Sequence, residues 1–124
     1  MTPTRRRSPQ PRKPTDGGLV PKIIALCQLR RVWCWRANAG IAKTKEGDRI
    51  ALAPPGTPDV LLGLPGGYLA GLEAKSATGA VRASQRAWAR VAADHGVRYA
   101  VVRSAAEVVA VLDGWVREVE GPHP

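Results

Sequence analysis

Two apolar runs joined by a proline-glycine turn dominate the hydrophobic pattern of the chain. Val60 to Leu62 follow Gly56-Thr57-Pro58-Asp59, the turn is Leu64-Pro65-Gly66-Gly67, and the second run ends in Glu73-Ala74-Lys75. This arrangement predicts a β-hairpin. Side chains alternate across a strand, so Glu73 and Lys75 share one face while Leu72 and Ala74 take the other, buried one. Upstream, Val20, Ile23, Ile24, Leu26 and Cys27 recur at helical spacing and predict a helix over 19–31, with Pro21 tolerated in its first turn. Residues 32–37 alternate as a strand, with Val32, Cys34 and Arg36 on one face and Trp33, Trp35 and Ala37 on the other. The two tryptophans are expected in a core or an interface rather than as base-stacking platforms, because tryptophan is mostly buried.

Residues 41–48 are polar and read as a hairpin loop, and Arg49 to Ala53 as a short strand that Pro54-Pro55-Gly56 breaks. A helix is expected from about Arg82 to His95, capped by Gly96, with Trp88, Val91 and Ala92 inward. Residues 97–103 read as a buried strand. Ser104-Ala105-Ala106-Glu107 has the form of a capping box opening a last helix to about Val119, with Val108, Val111, Leu112 and Trp115 inward. Val109 and Val116, with Trp115, are candidates for a dimer seam. The order of elements gives an α/β fold with a mixed central sheet of four or five strands flanked by helices.

A chain of 124 residues suits one small domain. Residues 1–18 hold four prolines and the pair Gly17-Gly18, a composition that cannot bury enough surface to order itself, so this stretch is expected to be a flexible arm, with 19–120 as the domain and 121–124 as a tail. The net charge is +9, which favours a polyanionic partner, nucleic acid before membrane. Five of the nineteen basic residues and no acid lie within residues 1–14 (Arg5, Arg6, Arg7, Arg12, Lys13), leaving fourteen basic residues against ten acids in the remainder. Two readings of the arm stand: a phosphate grip, or a solubilising tail. No apolar run approaches the ~18 residues of a membrane span, the basic start lacks the apolar segment of a signal peptide, and Cys27 and Cys34 have no zinc-site spacing. Reduced thiols and a cytoplasmic location are therefore expected.

The chemistry lies in the hairpin. An acid and a lysine side by side in an apolar strand need an explanation, because burying unpaired charge is costly. If Asp59 joins them from the neighbouring strand, two carboxylates and an ammonium converge, a set suited to an oxygen-seeking divalent cation such as Mg²⁺ or Mn²⁺. Arg82, Arg86 and Arg90 recur every fourth residue and form a stripe that is either a solvated face or a phosphate track. Lys43 and Lys45 stand in the expected loop, available to a nucleic-acid backbone. Arg36 is read either as a phosphate contact or as a surface arginine.

Pro58-Asp59 followed by Glu73-Ala74-Lys75 resembles the signature of the PD-(D/E)xK nuclease superfamily. More narrowly, the chain resembles the VRR-NUC family, in its stand-alone phage and bacterial form, over residues 16–112. The matching pieces are Trp35-Arg36-Ala37-Asn38-Ala39-Gly40, Gly56-Thr57-Pro58-Asp59, Gly71-Leu72-Glu73-Ala74-Lys75, Gln85 with Trp88, and Val101-Val102-Arg103-Ser104. The resemblance implies a restriction-endonuclease-like core and a metal-dependent DNA endonuclease acting on branched DNA, such as four-way junctions, as a homodimer. It implies that Asp59, Glu73 and the Ala74 carbonyl hold the cation, that Lys75 and Gln85 align the attacking water, and that Arg36 and Asn38 border the site. The family's first helix commonly adds an acid; none stands between Leu19 and Val32, and Asp16 is the nearest substitute by register. The alternative is a non-catalytic basic nucleic-acid-binding protein with a degenerate nuclease fold.

If the arm grips phosphates, deleting residues 2–14 flattens the dependence of DNA affinity on salt, because fewer counterions are released on binding. Binding titrations across a salt series check this, and an unchanged slope leaves the arm a tail.

Overall fold

The apolar periodicities resolve into three helices and six strands, which the computed structural model describes over residues 18–37, 39 and 41–121. In chain order these are α1 (Leu19–Leu29), β1 (Trp33–Arg36), β2 (Ile41–Lys43), β3 (Arg49–Ala51), β4 (Val60–Leu64), β5 (Tyr68–Ala74), α2 (Ala83–Asp94), β6 (Arg98–Val102) and α3 (Ala105–Glu120). The central sheet runs β1-β4-β5-β6. β1 and β5 pair antiparallel with β4, and β6 pairs parallel with β5. The protein is thus mixed α/β, a mixed sheet flanked by helices. The expected arm, the tail beyond Gly121, Arg5, Arg6, Arg7, Asp16 and Asn38 lie outside the described residues.

One face of the sheet carries the core. Val60, Leu62 and Leu64 of β4 and Ala70, Leu72 and Ala74 of β5 alternate onto it, where they meet Leu19, Val20, Ile23 and Cys27 of α1 and Val108 and Leu112 of α3. Fully burying side chains of this size is worth about 1.5–3 kcal/mol each, so this layer supplies most of what holds the domain together. α3 begins as its sequence requires: Ser104 Oγ accepts the Glu107 N–H (3.2 Å), and Glu107 Oε2 accepts the Arg103 N–H (3.0 Å), one residue earlier than in a standard capping box. Its acids are taken up by neighbours, Asp113 by Arg30 and Glu118 by Arg98, each at 2.9 Å. Trp115 and Val116, expected at a dimer seam, pack partly against the chain's own core.

The opposite face is covered only in part. α2 crosses from β5 to β6 and sets Trp88 against Tyr99, with ring centroids 5.8 Å apart. It does not reach β1. Trp33 and Trp35 alternate onto this uncovered side and are exposed, so of the two places expected for them, a core or an interface, they do not take the first. Val91, expected inward on α2, is exposed; the buried residues of this helix are Gln85 and Ala92, with Trp88 half-buried against the sheet. β6 is half-buried rather than buried, apart from Val102. The stretch expected as a hairpin loop begins with a strand, β2, which pairs antiparallel with β3 in a two-stranded sheet separate from the central one. Cys27 is buried and its thiol is pushed up to about 12, first by burial and then by the neighbouring Cys34; both thiols are free.

Gly71 sits where the proline-acid segment lies down on the sheet. A Cβ at Gly71 would stand 2.5 Å from Pro58 Cγ and 3.5 Å from Trp88 Cη2. A pyrrolidine ring cannot swing aside. Gly71→Ala is expected to lose about 1–3 kcal/mol in urea denaturation, the cost of overpacking a filled site; an unaltered midpoint and slope would show that Pro58 yields.

Candidate active site

β4 and β5 bring the three expected residues together. Val60 pairs with Leu72, so the residues just beyond, Asp59 and Glu73, meet across the end of the ladder. The Ala74 N–H donates to Asp59 Oδ2 (2.9 Å), and the Ala37 N–H donates to the Asp59 carbonyl (2.9 Å), which holds this acid by both its side chain and its backbone. Lys75, two residues after Glu73 and on the same side, places its Nζ 3.8 Å from Glu73 Oε1. Glu73 and Lys75 retain only 4% and 5% of their exposure. They line a cleft of about 430 Å³ together with Asp59, Arg36, Arg82 and Gln85, and the Ala74 main chain also borders it.

Gln85 locks Glu73. Its Nε2 donates to Glu73 Oε1 (2.8 Å), and its Oε1 accepts the Arg82 N–H (2.9 Å) at the start of α2. One side chain therefore caps the helix and fixes the carboxylate. The expected partners of Gln85 were Lys75 or a water; its partner here is the acid. Gly56 docks the other side of the same turn: its φ is +87°, and a Cβ would overlap the Ser84 carbonyl, so only glycine lets the segment before Asp59 approach α2.

The electrostatics of Glu73 are unusual. Burial is the largest influence and pushes its carboxyl up to about 7; the Asp59 carboxylate adds to this, and Lys75 offsets part. Glu73 Oε2 is buried with no hydrogen-bond partner. A buried acceptor left bare costs about 1–3 kcal/mol and more when charged, so this atom asks for a ligand. Two carboxylates, one with a bare buried oxygen, are hard oxygen donors, and the set fits Mg²⁺ or Mn²⁺ better than a softer metal. No group of three or more His, Cys, Asp or Glu that could hold a metal forms among the described residues. α1 supplies no acid, and Asp16 lies outside the described residues.

Two residues of this site escaped the sequence reading. Tyr99 pairs with Gly71 on the α2 side of the sheet, and its hydroxyl is buried without a partner. Its phenol is pushed up to about 12, first by burial and then by the charges of Glu73 and Asp59. Only the parallel pairing of β6 with β5 reveals this proximity. Arg103 clamps the loop after Lys75, its guanidinium donating to the carbonyls of Ser76 (2.6 Å) and Gly79 (2.8 Å). Of the cations expected on nucleic acid, Arg36 and Arg82 border the cleft. Lys43, Lys45 and Arg86 are exposed elsewhere, and Arg86 donates to the Val81 carbonyl (2.7 Å). His95, assigned no chemistry, contacts the Val91 carbonyl through Nδ1 (2.8 Å). The chain matches no protein-family model, no curated protein and no solved structure.

The raised Glu73 carboxyl has a consequence for stability. The folded state keeps a proton on Glu73 up to about pH 7, whereas the unfolded chain releases it near 4.5. Between these values the folded state binds more protons, so stability falls as pH rises, by on the order of 3 kcal/mol in total. Denaturation of the wild type and Glu73→Gln at pH 4.5 and pH 8 isolates this loss: the wild type should lose more, and equal losses would contradict it.

Proposed function

We propose that the protein is a metal-dependent DNA endonuclease with a PD-(D/E)xK core of the VRR-NUC type. The observation that carries this reading is the bare buried Oε2 of Glu73 in a cleft that also holds Asp59 and Lys75. Asp59 and Glu73 are the side chains to hold Mg²⁺ or Mn²⁺. The Ala74 carbonyl leaves the same strand edge as the Ala74 N–H, which points at Asp59, and so completes a third oxygen donor. A divalent cation in this place supplies Lewis acidity toward a phosphate oxygen and makes nearby water more acidic.

The chain's own residues do the rest. Gln85 keeps the Glu73 carboxylate from turning, which matters because a misplaced ligand costs rate steeply. Lys75, nearly dry, presents an ammonium to the charge that grows on the phosphate during in-line attack, where low dielectric strengthens it. Lys75 also aligns the attacking water, while Gln85, with both ends of its amide engaged, acts through the Glu73 it holds. Arg36 and Arg82 at the rim suit the flanking phosphates. Branched DNA is the proposed substrate, with a homodimer cutting two strands symmetrically. No helix of the described residues is long and apolar enough to cross a membrane.

One observation favours a second reading. The described residues offer two carboxylates and no third ligand side chain, as in a nuclease fold that keeps its nucleic-acid grip and has lost catalysis.

Purified protein incubated with labelled single-stranded, duplex, flap and four-way DNA, with and without Mn²⁺, separates the two. The nuclease cuts branched DNA only with the metal. Lys75→Ala reduces cleavage by at least about 10²-fold while leaving binding intact, the size expected for loss of one preorganised charge donor. Intact substrates throughout, or undiminished cleavage by Lys75→Ala, contradict the assignment.

A further inference from the structure

The sheet face that carries Glu73 continues, uncovered, past the edge of α2. Trp33 of β1 is 71% exposed, and Leu69 and Trp35 beside it are each more than a third exposed. The two indoles lie against each other, with centroids 4.8 Å apart and planes 47° apart. Trp33 is laid down on the strand next to it: a Cβ at Gly63, its cross-strand partner, would stand 2.6 Å from Trp33 Cε3. The missing side chain of Gly63 lets the ring lie close over the sheet. The groove these residues line, about 310 Å³, contains no acidic side chain. Arg36 follows Trp35 in the chain and borders the cleft.

We propose that this aromatic face is a stacking platform for unpaired bases of a nucleic-acid strand whose phosphate is engaged in the Asp59–Glu73–Lys75 cleft. The second half of that statement rests on the nuclease reading above. Every base has a π-face, so exposed indole rings bind single strands with little sequence preference. The spacing suits this use. Trp33 is level with Gly63, and Gly63 with Leu69, which lies four residues along β5 from Glu73. Four residues of strand span about 13 Å, and the two strand spacings from β5 to β1 add about 9.5 Å sideways, which gives about 16 Å, the rise of about five stacked nucleotides. A strand leaving the cleft along the sheet therefore lays its bases over Trp33 and Trp35. Unpaired bases are what a branch or flap presents and a continuous duplex does not. A second copy of the chain would also cover apolar rings, but an acid-free groove that shares its sheet face with the Asp59–Glu73–Lys75 cleft, on a chain of net charge +9, is matched to a polyanion.

The test uses the full-length protein in EDTA, a short fluorescein-labelled oligo(dT), and a continuous duplex of the same length, with sedimentation alongside. Trp33 is mostly exposed, so Trp33→Ala should fold. The expected result is that Trp33→Ala binds oligo(dT) about tenfold or more weakly, Trp33→Phe keeps most of the affinity, and duplex binding and sedimented mass do not change. Three results overturn the proposal: a wild type that ignores oligo(dT), a Trp33→Ala variant that binds it as the wild type does, or a loss of binding that accompanies a fall in mass, which would make the face a subunit seam. A wild type that binds oligo(dT) through Trp33 yet cuts nothing with Mn²⁺ upholds the platform and removes the nuclease assignment instead.

Discussion

Burial of the Glu73 carboxyl beside Asp59 is the constraint on which the rest of the structure turns. Two acids facing each other at the end of a strand pair repel, and one of them is almost dry. Nothing in the hydrophobic layer beneath requires them. Lys75 at 3.8 Å relieves part of the cost, and Gln85 satisfies one oxygen at 2.8 Å. The other oxygen remains bare. Breaking or leaving open such a set is expensive in a folded domain, and sites where stability is given up in this way are where function concentrates.

The surroundings are arranged to hold the acids in place. Gly71 makes room for Pro58, Gly56 lets the chain touch α2, the Ala74 N–H takes Asp59, and Arg103 ties down the loop between Lys75 and α2. These contacts come from β5, from the segment before β4 and from the residue that follows β6. The core on the far face, formed by α1 and α3, anchors β4 and β5, so the site rests on the most buried strands of the protein. A rigid scaffold beneath a polar cleft is the arrangement a positioned reaction needs.

The central hairpin and the convergence of Asp59, Glu73 and Lys75 were legible in the sequence, because both follow from the period of two along a strand and from a proline-glycine turn. The three helices were legible from apolar spacing and caps. The misreadings have a common origin. Val91 was expected inside, and Trp33 and Trp35 in a core or an interface, yet whether an apolar strand face is covered depends on how far a helix elsewhere in the chain extends. α2 covers β5 and β6 and stops short of β1. Ile41 to Lys43 is too short to show alternation. Tyr99 and the Glu73–Gln85 bond depend on pairing and packing between elements distant in the chain, which no local pattern encodes.

The uncovered aromatic face and the polar cleft lie on one side of one sheet, which allows a single strand to use both. The central claim is that the cleft seats a cation between its two acids. Crystals grown with Mn²⁺ and measured at the manganese absorption edge test this most directly. A single anomalous peak within coordination distance of Asp59 and Glu73 is the predicted result. Full-strength diffraction with no peak there, or with manganese bound only at surface acids such as Glu118 and Glu120, would contradict it.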